Sequence, residues 1–317
     1  MQWNQQIANR SRKATVGGWV AGLTALGLLA VLAGSKEAKP PVTARATAKQ
    51  PQPAAIRSAT DTFPLEDRPI RVERFEPAAP GKCPAIILVH AVDGVEAFGP
   101  IYRLQAGKYA GEGYVVLLVH YFDRMGDGKE KLKPIKESFR HFFDPKAVPN
   151  PQNLRAMRQH FSTWVETVRA SVRYAATLPN VDSRRVGLAG FSLGAALALA
   201  AAGAEDPDDR KIATVVSLFG CLPPDLREGI RGLPPTLMIQ GDVDERIPPL
   251  AAYDFETWLS RRQLPVEFKM YPRMGHVFEG ARRGDFLAAQ SHIKQFLRTQ
   301  LKPRDPGPSQ RDASAAR

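Results

Sequence analysis

Arg185–Gly203 reads RVGLAGFSLGAALALAAAG, and the reading of the fold starts there. Arg185–Ala189 is the short apolar run of a buried strand, and Leu193–Ala202 is an alanine- and leucine-rich helix. Between them stands Gly190-Phe191-Ser192-Leu193-Gly194, a G-x-S-x-G pattern. In so tight a turn, side chains at positions 190 and 194 would collide with the neighbouring strand or helix, and both are glycine. The turn lifts the Ser192 hydroxyl clear of the sheet. It also sets the Leu193 N–H at a helix N-terminus, where a developing anion is favoured. Strand, turn and helix in that order are the setting a nucleophilic serine requires.

The alternation continues in both directions. Ala85–His90 (AIILVH), Tyr114–Tyr121 (YVVLLVHY), Ile212–Phe219, Thr236–Gln240 and Val266–Tyr271 read as further strands. Helical spacing marks Ile101–Ala110, Gln152–Thr177, Ala251–Arg261 and Asp285–Leu301. Continuous apolar strands separated by helices predict an α/β fold, a mostly parallel sheet covered by helices on both faces. Arg71–Phe75 alternates apolar and polar residues and predicts an edge strand. No 20–50-residue repeat is visible, which argues against a solenoid.

A serine needs a base, and the base needs an orienting acid. In parallel strands all C-termini lie at one edge of the sheet, so each partner is expected just past a strand end. His276 lies in YPRMGH (271–276), directly after the last strand. His90 and His120 also end strands, but this arrangement places acid and then base after the serine in chain order, which selects His276. The acid is expected after Thr236–Gln240, in GDVDERIP (241–248). Asp242, Asp244 and Glu245 all stand there. The spacing to Ile247-Pro248 favours Asp244 and leaves Asp242 as a turn former. The loop after Ala85–His90, His90-Ala91-Val92-Asp93-Gly94, carries a glycine that lets its backbone turn toward the serine. The backbone N–H groups of Val92 and Leu193 are the expected oxyanion donors.

Together, AIILVHAVDGV, YVVLLVHYFDR, GFSLG, GDVDERIP and YPRMGHVFEG resemble the dienelactone hydrolase family of the α/β-hydrolase fold, from about Pro69 to Leu301. The resemblance implies hydrolysis of lactones or small esters with no metal or cofactor. It implicates Ser192, Asp244 and His276, with the backbone of Val92 and Leu193. Three positions depart from it. The dienelactone enzymes carry a cysteine nucleophile and an oxyanion-loop glutamate, where this chain has Ser192 and Ala91. Arg124 matches an arginine that binds the substrate carboxylate in those enzymes, but the position four past the histidine is Gly280. A serine carboxylesterase therefore fits better than an enzyme for dienelactone itself. Acyl transfer on the same triad, or a non-catalytic binding protein of the envelope that keeps the fold, is also compatible with these residues.

The formal charge is +12, but residues 1–60 hold +7 and residues 302–317 hold +2. The basic character belongs to the ends, and no nucleic-acid recognition motif accompanies it. Ala14–Gly34 is uncharged over 21 residues and follows Arg10, Arg12 and Lys13. That order predicts a signal anchor or a cleaved signal peptide over residues 1–34, an exported protein, and membrane contact through residues 14–34 if the run is kept. Residues 35–60 and 302–317 hold almost no large apolar groups and read as a disordered linker and tail. The catalytic domain is then 61–301. The basic stretch 125–151 follows a strand C-terminus and is expected to overhang the site. Cys83 precedes its strand and Cys221 follows its strand, roughly 16 Å apart across the sheet, which predicts two free thiols.

Overall fold

The computed structural model describes residues 56–78, 81–126, 151–204 and 211–301. The expected anchor at 14–34, the tail at 302–317 and nearly all of the 125–151 stretch lie outside the described residues. Among those described, no helix is long and apolar enough to cross a membrane.

Eight strands, β1 (Ile56–Leu65), β2 (Arg68–Pro77), β3 (Cys83–Val89), β4 (Val115–Val119), β5 (Val181–Phe191), β6 (Ile212–Leu218), β7 (Thr236–Gly241) and β8 (Val266–Tyr271), form one sheet. Their order is β1-β2-β4-β3-β5-β6-β7-β8. β2 is antiparallel to both β1 and β4, and every other pairing is parallel. The α/β class and mostly parallel sheet expected from the alternation are therefore present. Ala85–Val89 and Val115–Val119 are completely buried, as strands covered on both faces must be.

The flanking helices are α1 (Gly94–Gly111), α2 (Pro151–Thr177), α3 (Leu193–Gly203), the short α4 (Pro224–Arg227), α5 (Pro249–Arg261) and α6 (Arg283–Leu301). Helix α2 buries Met157, Phe161, Trp164, Val168, Val172 and Ala175, a stripe spaced at three and four residues. It packs on α3, β5 and β3. Trp164 is fully buried edge-on to Tyr121 and Phe122. Truncation of so large a side chain costs about 3–5 kcal/mol. Helix α3 is buried nearly all round, because alanine lets it lie close between the sheet and α2.

Two expectations need correction. The strand at Arg71–Phe75 is not at the edge, because β1 pairs with it along its whole length, from Ile56↔Pro77 to Leu65↔Arg68. Strand β1 also opens at Ile56, five residues inside the stretch expected as a linker. Only Phe63 of its ten residues is buried, so it has no apolar period to reveal it. Both cysteines are free, and burial pushes the Cys221 thiol up to about 12, which keeps it protonated.

Candidate active site

The nucleophile turn follows from packing. Ser192 has φ +54° and ψ −115°, a region that non-glycine residues avoid at a cost of about 1–3 kcal/mol. Its surroundings hold it there. The Ser192 N–H donates to Leu218 O at 2.8 Å, and Ser192 O accepts from the Ala195 and Ala196 N–H groups at 3.0 and 3.2 Å. A Cβ at Gly190 would lie 2.2 Å from Gly194 O, and one at Gly194 would lie 2.3 Å from Val89 O. The expected steric role of both glycines is therefore met by backbone atoms, which cannot step aside.

His276 reaches the serine from the loop after β8. Its Nε2 lies 2.8 Å from Ser192 Oγ and its Nδ1 lies 2.8 Å from Asp244 Oδ2. A carboxylate only accepts, so Nδ1 carries the proton and Nε2 is free to accept one from the serine. The histidine loop is docked on the acid loop. Val243 N–H donates to Met274 O at 3.2 Å, and Arg273 N–H donates to the Asp242 carboxylate at 2.5 Å. Asp242, expected as a turn former, thus ties the acid loop to the histidine loop, and Glu245 is exposed. The Phe219 and His276 rings stand 6.0 Å apart, centroid to centroid, in a T-shaped arrangement.

Asp244 is the buried carboxylate of the three, and its side chain is fully enclosed. Oδ1 accepts from the Arg246 and Ile247 N–H groups, both at 2.9 Å. Oδ2 accepts from Gln240 Nε2 at 2.9 Å and from His276. Four donors on two oxygens offset the desolvation of a buried charge and fix the carboxylate plane. Gln240 also donates to Ile247 O at 3.0 Å, which closes the acid loop on the end of β7.

The loop after β3 lies beside this relay. Ala91 O accepts from His90 Nδ1 at 2.8 Å and from the Gly94 N–H at 3.0 Å. The trans peptide is planar, so the Val92 N–H points the opposite way from that carbonyl. Gly94 has φ +79°, the left-handed conformation for which its glycine was read. Leu193 opens α3 and has no earlier helical carbonyl to bond. Among the described residues, neither Val92 N–H nor Leu193 N–H has a protein acceptor.

The other histidines at this edge are engaged elsewhere. His90 is fully buried and stacks on Tyr121 at 4.0 Å. His120 Nε2 lies 3.0 Å from Glu73, which Arg103 also grips at 2.6 and 2.8 Å. Burial lowers the His120 pKa against the pull of Glu73. Among the described residues, no contact brings Arg124 to the triad. Its guanidinium donates to Leu65 O at 3.0 Å and to Glu66 Oε2 at 2.5 Å, with Asp67 at 3.5 Å. These are residues of the β1–β2 turn, so Arg124 ties that hairpin to the end of β4. Glu66 and Asp67 are exposed, which holds the gain to about 1 kcal/mol. Arg124→Ala should lower Tm by about 2–4 °C and leave kcat/KM for a neutral ester within twofold. Thermal melts beside steady-state kinetics check this. A large rise in KM with an unchanged Tm would return Arg124 to the substrate.

Among the described residues, no group of three or more His, Cys, Asp and Glu side chains could hold a metal ion. What the arrangement can do is remove a proton from Ser192 and receive negative charge beside it. Gln240 supports it through Asp244, and Tyr102 and Tyr121 hydrogen-bond the loop after β3; none of the three is picked out by the sequence. Only Gln240 leaves a signal there, as one amide inside the apolar run TLMIQ, where a buried polar group needs a partner.

The Dienelactone hydrolase family model matches residues 70–300. A Synechocystis sp. protein described as a candidate carboxymethylenebutenolidase is 26% identical over 261 residues, covering 78% of this chain and 98% of that protein. Among solved structures, a candidate dienelactone hydrolase from Klebsiella pneumoniae aligns at a TM-score of 0.60 with 18% identity, over 77% of this chain and 98% of its own. A Pyrobaculum calidifontis esterase aligns at 0.54 with 17% identity, over 77% and 86%. The two structures share the fold. The family match spans every strand from β3 to β8 and takes in Ser192, Asp244 and His276. With its Ser-His-Asp triad in place, this chain belongs to the dienelactone hydrolase family of α/β hydrolases as a serine-nucleophile member.

Proposed function

We propose that this protein hydrolyses small carboxylic esters or lactones through an acyl-enzyme on Ser192. The observation that carries the reading is the unbroken relay Ser192 Oγ–His276–Asp244, 2.8 Å at each link and buried throughout. Ser192 Oγ attacks the ester carbonyl carbon while His276 Nε2 takes its proton. Asp244 holds the imidazole in the needed tautomer and stabilises the imidazolium. The carbonyl oxygen becomes an oxyanion facing the Val92 and Leu193 N–H groups, each worth about 2.7–4 kcal/mol by the usual measure of such donors. As the bond to the leaving alkoxide breaks, His276 returns the proton to it. Water then attacks the acyl carbon, gives a proton to His276, and the carboxylic acid leaves as Ser192 Oγ takes that proton back.

Family membership, the carboxymethylenebutenolidase name of the Synechocystis relative and the esterase name of the Pyrobaculum structural neighbour support this substrate class. The test is initial rates on p-nitrophenyl acetate, p-nitrophenyl butyrate and a small unsubstituted lactone by the full-length chain. Hydrolysis saturating in substrate is expected. A folded protein inert toward all three would overturn the reading. Products that carry an added alcohol or amine, in preference to free acid, would replace it with acyl transfer.

A further inference from the structure

We propose that Tyr102 and Tyr121 are positioning residues that preset the oxyanion donor of Val92 by gripping one peptide unit from both ends. The inference rests on the serine-hydrolase reading above. The unit is the peptide joining His90 to Ala91. Its N–H donates to Tyr102 Oη at 2.9 Å, and its C=O accepts from the Tyr121 hydroxyl at 3.0 Å. The two hydroxyls come from different elements, Tyr102 from α1 and Tyr121 from the turn after β4. Both are buried, at 4% and 0% exposure.

A peptide plane held at one end can rock about the bonds on either side, whereas one held at both ends cannot. The plane that follows carries the Val92 N–H, and its carbonyl is already bound by His90 and Gly94. The clamp and those two bonds leave the N–H a single direction. A donor aimed before the oxyanion forms needs no reorganisation as charge develops. Tyr121 is fully enclosed, so it acts through the peptide and not on substrate. Burial pushes both phenols up from their ordinary value, so both stay protonated, as a donating Tyr121 requires.

Phenylalanine is a clean test because the rings are packed independently of their hydroxyls. Tyr121 stacks on His90 and meets the edge of Trp164 at 5.7 Å, and Tyr102 meets Phe191 at 5.6 Å. In the full chain, Tyr102→Phe and Tyr121→Phe should each lower kcat for p-nitrophenyl butyrate about tenfold, a fraction of what losing a donor outright costs. KM should stay within twofold. The double variant should lose less than the product of the singles, because both act on one peptide. A purely structural role would not move the next readout. Affinity for a trifluoromethyl ketone, whose serine adduct carries an oxyanion, should weaken in proportion to kcat/KM. Folded variants with kcat within twofold of wild type would overturn the proposal, as would lost kcat with undiminished ketone affinity. The labelling rate of Ser192 by a fluorophosphonate separates the two readings. A wild type that neither turns over nor labels removes both. A wild type that labels no faster than the variants removes this one alone.

Discussion

Ser192→Ala is expected to lower kcat for ester hydrolysis by about 10⁶-fold while the protein stays folded. The methyl group keeps Cβ, so the turn and its bonds to Leu218, Ala195 and Ala196 remain, since all three use backbone atoms. What disappears is the atom 2.8 Å from His276 Nε2. His276→Ala should cost a similar factor, and the double variant little more than either single, because the two groups perform one proton-coupled step. A residue of about 10³–10⁴ over the uncatalysed rate should survive from binding and the oxyanion donors. Stopped assays on the variants beside a no-enzyme blank measure this. A Ser192→Ala enzyme retaining a tenth of wild-type turnover would place the chemistry elsewhere.

Asp244→Asn is expected to lower kcat about 10⁴-fold with little change in KM. Each oxygen of Asp244 is surrounded by donors. If the new amide nitrogen faces His276, two donors meet and the imidazole must move its proton to Nε2, where it cannot accept from serine. If it faces the Arg246 and Ile247 N–H groups, the clash moves to the acid loop. Neither orientation of asparagine satisfies all four neighbours. The same substitution at Asp242, which accepts from Arg273 on the exposed side of the loop, should cost less than tenfold. Equal losses at the two positions would contradict the assignment of the acid.

Much of this was legible in the chain because of where the forces act. Strands β3 to β8 and helices α2, α3, α5 and α6 announce themselves, because each must bury continuous apolar surface or a stripe of it. The triad was legible for a related reason. A parallel sheet gathers strand ends at one edge, and each triad member sits just past one. Strand β1 was hidden because an outer hairpin strand with one buried side chain carries no period. That blind spot explains Arg124. Its position matched a substrate-binding arginine, but the hairpin that captures its guanidinium was not visible. Tyr102, Tyr121 and Gln240 were missed for a different reason. They hold backbone groups or an acid brought near by folding, and no linear spacing encodes such contacts.

The central claim is that Ser192 becomes covalently acylated, and mass spectrometry of the intact protein and its peptides tests it most directly. The full-length protein is treated with a fluorophosphonate, or rapidly acid-quenched during turnover of p-nitrophenyl butyrate, then digested. One adduct per chain is expected, on the peptide containing Gly190-Phe191-Ser192-Leu193-Gly194, and it should be absent in Ser192→Ala and greatly slowed in His276→Ala. An adduct at another residue, Cys83 for instance, or labelling that persists undiminished in Ser192→Ala, would contradict the account.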